Sequence, residues 1–77
     1  MAKKQEAAMK QDKVYKRIDL VGTSRDGIEA AIQNAIDRAA ETVTDLRWFE
    51  IKEVRGAIEE QRVTQYQVVL SVAFEVK

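Results

Sequence analysis

The chain has 77 residues, and its 13 Lys plus Arg residues balance 13 Asp plus Glu residues, so its formal net charge is zero. The sequence contains no cysteine and no histidine, which excludes disulfides, thiolate or imidazole metal sites and the commonest general base. The length allows one small domain that relies on self-association for stability, and the balanced charge argues against a nucleic-acid partner.

The first predicted segment is a polar extension, residues 1–12 (MAKKQEAAMKQD), which lacks a continuous apolar face. We expect this extension to be flexible; the alternative is a short helix that docks on a neighbouring subunit through Ala7, Ala8 and Met9. Its lysines are not followed by the apolar region of a signal peptide, and no apolar run reaches the roughly 20 residues of a membrane span. We therefore expect a cytoplasmic protein without a membrane partner.

The folded domain is predicted over residues 13–77, and its first element is a strand over residues 13–21 with alternating side chains. Residues 22–24 (GTS) predict a turn, because glycine, threonine and serine favour turns and helix caps. Thr23 and Asp26 have the spacing of a helix capping box, which places the start of a helix directly after this turn.

The clearest element is an amphipathic helix over residues 26–43. Apolar side chains recur there at spacings of three and four residues, which is the period of one helix face. The apolar stripe consists of Ile28, Ala31, Ile32, Ala35, Ile36, Ala39 and Val43. Because the stripe is rich in alanine, another element can approach this helix closely.

Two further strands are predicted over residues 46–57 and 63–76, joined by a turn centred near Glu60 and Gln61. They form an antiparallel hairpin, and a right-handed crossover through the helix places the first strand parallel to the second. The third strand then lies in the centre of the sheet. The predicted fold class is α+β, with the order β-α-β-β and a three-stranded antiparallel sheet covered on one face by the helix.

Strict alternation along the last two strands predicts which side chains face the helix. Phe49 and Ile51 are expected beneath the helix, and Trp48 is expected on the opposite face of the sheet, here called the outer face. The outer face is also expected to carry Glu50, Lys52, Val54, Val63, Gln67, Val69, Ser71 and Ala73. Such an apolar face is typical of an oligomer interface anchored by Trp48, or of a ligand site that uses it.

The predicted register limits how Trp48 and Gln67 can act together. The turn near Glu60 and Gln61 places Trp48 opposite a residue near Ala73. Gln67 then lies six positions from that residue along the third strand, a distance of roughly 20 Å. If both side chains bind one small ligand, they are therefore expected to come from different chains.

Four linked segments carry a resemblance to a known family: VYKRIDLVGTS (14–24), GIEAAIQNAIDRAAETV (27–43), LRWFEIKEVRG (46–56) and YQVVLSVAF (66–74). In their order and spacing they resemble the dodecins, small flavin-binding proteins that assemble as hollow dodecamers. The resemblance implies a dodecin-like domain over residues 13–77, a homododecamer, and stacked flavin pairs held between subunits.

The resemblance also implies roles for individual residues. Trp48 matches the family tryptophan whose indole lies flat on the isoalloxazine ring, and Gln67 matches the glutamine that hydrogen-bonds the pyrimidine edge. Arg55 matches an arginine that approaches the flavin side chain or phosphate, which favours FMN over riboflavin; the alternative is an exposed arginine paired with Glu53 or Glu59. These three residues are the predicted cofactor-binding site.

Two departures from the family pattern affect the expected ligands. Glu75 follows Phe74, where many bacterial relatives have a basic residue, and this predicts weaker binding of phosphate and of coenzyme A, a further possible ligand. Ala73 stands where a glycine is common and adds a methyl group to the outer face.

The resemblance implies a protein that is not an enzyme and that stores, buffers and photoprotectively sequesters flavin. No nucleophile paired with a base, and no metal cluster, is recognisable in the sequence. The alternative is a self-assembling shell or scaffold that binds no flavin, in which Trp48 serves only subunit contacts.

Overall fold

A computed structural model describes residues 12–77, which form three strands and one helix. The elements are β1 (Val14–Ser24), α1 (Ile28–Ala40), β2 (Leu46–Glu59) and β3 (Arg62–Val76). The strand order in the sheet is β1-β3-β2, and β3 pairs with both neighbours in antiparallel fashion. The predicted β-α-β-β fold is confirmed. The predicted extension lies outside the described residues except for Asp12.

The core lies between α1 and the central strand. Val68, Leu70 and Val72 of β3 are buried, and they pack against the buried Ala31 and Ala35 of α1. Ile32 and Ile36 are partly buried against this cluster and Ala39 is buried, so the predicted apolar face of the helix is confirmed for these residues. Ile28 is exposed, and Val43 lies beyond the end of the helix. Apolar burial on this face is the main force that holds the helix on the sheet.

The helix ends at Ala40, three residues before the predicted end. The amide N–H of Val43 still donates to the carbonyl oxygen of Ala39 at 2.9 Å, which closes the last turn. Asp45 then has a φ of 64°. This left-handed residue turns the chain into β2, because an aspartate tolerates a conformation that most side chains avoid.

The prediction of a turn at residues 22–24 is wrong, because β1 continues through Ser24 and Gly22 pairs with Val68. A Cβ atom on Gly22 would lie 2.0 Å from the carbonyl oxygen of Ala31 and 2.9 Å from the Cβ of Ala35. The glycine is therefore needed for the close approach of strand and helix, rather than for a turn.

The predicted capping box between Thr23 and Asp26 is also absent from the described structure. Gly27 occupies the N-cap position of α1, and no side chain caps this end of the helix. The hydroxyl oxygen of Ser24 instead accepts a hydrogen bond from the amide of Asp26 at 2.9 Å, which orders the connection between β1 and α1.

The β2–β3 pair departs from strict alternation at three register shifts. These lie between Leu46 and Trp48, between Ile51 and Glu53, and between Ala57 and Ile58. Each shift is a β-bulge, in which one strand contributes an extra residue and the alternation of its side chains changes phase. A sequence pattern read with a strict period of two misses such changes.

The second and third bulges overturn two of the predicted outer-face positions. Val54 pairs with Val68, whose side chain lies under α1, so Val54 lies on the helix side. Val63 lies on the same side. Its Cγ1 is 3.9 Å from a Cβ atom built on Gly56, and Gly56 is on the helix side because it lies two positions from Val54 in β2. The outer face is consequently less apolar than the sequence predicted.

The helix side of the β2–β3 hairpin carries a strip of exposed apolar side chains, most of them in β2. Phe49 and Ile51 face this side as predicted. The prediction that they lie beneath the helix is wrong, because α1 packs mainly on β1 and β3 and leaves the two residues 44% and 39% exposed. We call this surface the helix-side strip; it consists of Phe49, Ile51, Val54, Ile58 and Val63.

No helix within residues 12–77 is long and apolar enough to cross a membrane.

Candidate functional site

Trp48 lies on the outer face, opposite Ala73 of the central strand. The residue is 46% exposed, whereas Ala73 beside it is fully buried. The predicted face and the predicted register of Trp48 are both confirmed. An indole that is half exposed on a sheet face is available to stack on a flat ligand or on another subunit.

Trp48 is in contact with a second aromatic ring that the sequence reasoning did not assign to the site. The ring centroids of Tyr15 and Trp48 are 4.8 Å apart, and their planes are inclined by 64°, which is an edge-to-face arrangement. Tyr15 comes from β1 and Trp48 from β2, so the two rings meet across the central strand. We call Tyr15, Trp48 and Ala73 together the indole patch.

Arg55 and Gln67 lie opposite one another on the outer face, further along the sheet. The Nε of Arg55 donates to Oε1 of Gln67 at 2.9 Å, and Nε2 of Gln67 donates to Oε1 of Gln65 at 3.0 Å. The Gln67 oxygen keeps a second lone pair and its NH2 group a second N–H, so the amide can bind a ligand while both hydrogen bonds remain. We call Arg55 and Gln67 the amide patch.

The bulge at Lys52 is what places Arg55 on the outer face. Strict alternation from Trp48 would place Arg55 on the helix side, together with Phe49 and Ile51. The register shift between Ile51 and Glu53 changes the phase, and Arg55 then pairs with Gln67. Nη1 of Arg55 also lies 3.5 Å from Oε1 of Glu53, so the ion pair expected as the alternative is present beside the contact with Gln67.

The indole patch and the amide patch are well separated within one chain. Trp48 pairs with Ala73 and Arg55 pairs with Gln67, and Gln67 lies six positions from Ala73 along β3. This spacing corresponds to roughly 20 Å along a strand. A single small ring cannot contact both patches of one chain.

A network of charged side chains fills the space between the two patches. Arg17 forms an ion pair with Glu50, and its Nε donates to Oγ of Ser71 at 3.0 Å. Nζ of Lys52 donates to Oδ2 of Asp19 at 2.9 Å. The hydrogen bond from Lys52, followed by one from Ser71, holds the pKa of Asp19 below its ordinary value.

This network was not assigned from the sequence, although one signal for it was visible. Arg17 and Asp19 share the outer-face parity of β1, and charged residues recur at the facing positions of β2. Their cross-strand pairing became recognisable only when the order β1-β3-β2 placed both edge strands against the central Ser71.

Glu75 lies at the end of the sheet nearest to Trp48 and pairs with Tyr15. Its Oε1 lies 3.0 Å from Nη2 of Arg47 and 3.8 Å from Nζ of Lys13. Its side chain is only 11% exposed. Glu75 therefore forms ion pairs with Lys13 and Arg47 of its own chain, and Arg47 is the bulge residue that precedes Trp48.

The family model of the dodecins matches residues 14–77, which is nearly the whole described domain. The chain belongs to the dodecin family. A dodecin from Thermus thermophilus is 57% identical over 65 residues, which are 84% of this chain and 94% of the relative. The recognition made from the four segments is thereby confirmed.

Solved structures give the same family and fold. A crystal structure of a Thermus thermophilus protein matches with a TM-score of 0.82 and 56% identity, covering 86% of this chain and 97% of that chain. The crystal structure of a calcium dodecin from Mycobacterium tuberculosis, described as having a novel calcium-binding site, matches with a TM-score of 0.73 and 34% identity, covering 83% and 91% of the two chains. Within residues 12–77 of the present dodecin, no group of three or more acidic residues is placed to hold a metal ion.

Proposed function

We propose that this dodecin binds flavin as stacked pairs between subunits and stores it without turnover. The observation that carries the proposal is the half-exposed indole of Trp48 on the outer face of a chain that belongs to this family. Isoalloxazine is a large, flat, electron-poor ring, and indole is electron-rich. Offset stacking of such rings contributes about 0.5–1.5 kcal/mol beyond the burial of their area.

The separation of the two patches supports a site built from more than one chain. A flavin stacked on Trp48 of one subunit is beyond the reach of Gln67 of the same subunit, as the strand register requires. We propose that the amide patch of a neighbouring subunit binds the pyrimidine edge of the ring. A primary amide offers both a donor and an acceptor, which matches the alternating groups of this edge.

Arg55 supports FMN as the preferred flavin. Its guanidinium already donates to Gln67, so it lies beside the group that is proposed to hold the ring. A guanidinium binds a phosphate through charge-assisted hydrogen bonds, which riboflavin cannot accept because it lacks the phosphate. Riboflavin shares the ring and is expected to bind more weakly, and other flavins stay alternative ligands.

The assembly proposed for the protein is a homododecamer, as the family resemblance implies. The exposed helix-side strip and the exposed Trp48 are apolar surfaces that subunit contacts would bury. The twelve chains would have a mass of about 106 kDa, twelve times the chain mass of 8.8 kDa.

Coenzyme A is a weaker candidate ligand. Glu75 takes the place of a basic residue common in relatives, and its carboxylate already accepts from Arg47. An acid cannot donate to a phosphate, so this position contributes nothing to binding a phosphorylated ligand. We therefore propose that any coenzyme A binding is weak.

We propose storage rather than catalysis because a flavin between an indole and a second flavin has both ring faces covered. Electron transfer from Trp48 to the photoexcited ring would quench its fluorescence and limit light-driven radical chemistry. The proposed role is thus to hold flavin safely and to release it when free flavin falls. A cytoplasmic location, without nucleic acid or membrane as a partner, stays a prediction.

The alternative function is a self-assembling shell that binds no flavin. The helix-side strip favours this alternative, because it supplies apolar contact surface without involving either patch. In that case Trp48 would serve as an interface anchor, and the purified oligomer would be colourless.

Titration of flavin with the purified apo-protein separates the two functions. Flavin storage predicts that flavin emission falls as protein is added and that the protein remains oligomeric. Unchanged emission at micromolar protein, from a sample with the oligomeric mass, would favour the shell.

A further inference from the structure

We propose that Tyr15 is a positioning residue that fixes the indole of Trp48 in the orientation required for flavin stacking. The proposal rests on the proposed flavin binding and extends it to a residue outside the predicted site. Its basis is the edge-to-face contact between the two rings, with centroids 4.8 Å apart and planes inclined by 64°. Trp48 remains 46% exposed, so Tyr15 supports the ring without covering it.

The contact runs diagonally across the central strand, because Tyr15 pairs with Glu75 whereas Trp48 pairs with Ala73, two positions away. β1 and β2 are both neighbours of β3, so their backbones lie about 10 Å apart. Ala73 of the central strand stands opposite Trp48 on one side and Arg17 on the other. Its single methyl group leaves room for aromatic rings from both edge strands to meet above β3. A longer side chain at this position would lie between them.

A second feature holds the same two residues together. Glu75 is the β3 partner of Tyr15, and its carboxylate contacts Arg47, the residue before Trp48. Lys13, two residues before Tyr15, lies 3.8 Å from the same carboxylate. The chain segments that carry the two rings are therefore bound to one acid, and the rings are held in contact from both strands.

The expected benefit is preorganisation of the indole. A tryptophan on an edge strand without a neighbouring ring would exchange between rotamers, and flavin binding would have to restrict that motion. Edge-to-face contacts between aromatic rings have strengths that correspond to about a 2- to 12-fold change in affinity. We expect Tyr15→Leu to weaken FMN binding by about this factor and Tyr15→Phe to leave it unchanged, because the phenyl ring preserves the contact.

The chain offers a direct readout of indole motion, since Trp48 is its only tryptophan. Time-resolved fluorescence anisotropy of the apo-protein, with excitation selective for tryptophan over tyrosine, therefore reports on Trp48. We expect the fast depolarisation to be larger in Tyr15→Leu than in wild type. In Tyr15→Phe we expect it to equal that of wild type. Ala73→Leu, which separates the rings without removing either, is expected to reproduce the increase if Tyr15→Leu fails to assemble.

The outcomes of these measurements are distinguishable. Unchanged anisotropy in both Tyr15→Leu and Ala73→Leu would overturn the proposal. Weaker FMN binding by Tyr15→Leu without added indole motion would also overturn it, because Tyr15 would then be a direct ligand contact. Failure of wild type to bind FMN would contradict the proposed function. If wild type does not bind FMN but indole motion increases in Tyr15→Leu, Tyr15 still holds Trp48 in place.

Discussion

Arg55 donates a 2.9 Å hydrogen bond to Gln67 directly across the β2–β3 pair. This contact depends on the extra residue in β2 at Lys52, because without it Arg55 would project toward the helix side. β-bulges commonly re-aim side chains near functional sites. In this dodecin the bulge joins a cation to an amide and so forms the amide patch, roughly 20 Å along the strand from Trp48.

Replacement of Trp48 by alanine is expected to abolish most of the quenching of flavin emission. The variant removes the ring that is proposed to stack on isoalloxazine and to donate an electron to it. Fluorescence titration of FMN with wild type and Trp48→Ala measures the effect. Val21→Ala, an exposed position on the same face and outside both patches, is the matched control and is expected to quench as wild type does. Equal quenching by Trp48→Ala and wild type would contradict the role of the indole.

Replacement of Arg55 by alanine is expected to weaken FMN binding by about tenfold, since a charge-assisted hydrogen bond to the phosphate is lost. Riboflavin has no phosphate, and its affinity is expected to change much less. Calorimetric titration with both flavins measures the ratio of the two dissociation constants. Arg62→Ala, at the hairpin end of β3, is the charge-matched control. An equal loss for FMN and riboflavin would show that Arg55 acts through Gln67 or the fold, and not through the phosphate.

Replacement of Gly22 by alanine is expected to destabilise the fold by about 1–3 kcal/mol, the usual cost of forcing atoms into a filled core. The added Cβ would lie 2.0 Å from the carbonyl oxygen of Ala31, and a backbone atom cannot move aside as a flexible side chain can. Thermal unfolding at equal protein concentration measures the change, because the stability of an oligomer depends on concentration. The neighbouring Val21→Ala serves as the control. Equal melting temperatures for wild type and Gly22→Ala would refute the close approach of β1 and α1.

The lowered pKa of Asp19 predicts a pH-dependent contribution to stability. A carboxylate whose pKa is lower in the folded state stabilises the fold above its unfolded-state pKa, and this contribution is lost as the pH falls through the folded-state pKa. Asp19→Asn is therefore expected to melt below wild type at neutral pH, and the difference is expected to shrink toward about pH 3. The effect is small, because the pair with Lys52 is exposed. An equal difference in melting temperature between wild type and Asp19→Asn at both pH values would contradict the lowered pKa of Asp19.

The fold was predictable because its strongest patterns are local and regular. The central strand alternates strictly from Tyr66 to Val76, and the helix stripe repeats with the helical period, so the element order and the buried face followed from the sequence. The turn at Glu60 and Gln61 was placed correctly, and both residues have the positive φ angles of a two-residue hairpin turn. With the turn fixed, the pairing of Trp48 with Ala73 followed by counting along the strands.

The remaining features depend on contacts between distant segments. Gly22 reads as a turn residue in sequence, whereas its role is set by Ala31, which packs against it from the helix. The bulge at Lys52 leaves no composition signal, since it concerns how two strands pair. Tyr15 meets Trp48 across β3, so the contact becomes visible only when the strand order β1-β3-β2 is known. The roles predicted for Trp48, Gln67 and Arg55 rest on family resemblance, and the strand register places all three residues on one face of the sheet.

The central claim is that the flavin ring lies on Trp48 of one subunit and reaches Gln67 of another. A crystal structure of the protein saturated with FMN tests this most directly. The account predicts paired rings between subunits, each stacked on a Trp48 indole, with its pyrimidine edge at a Gln67 amide from a different chain. A fully FMN-saturated oligomer with its rings bound away from Trp48, or with Trp48 and Gln67 of the same chain on one ring, would contradict it.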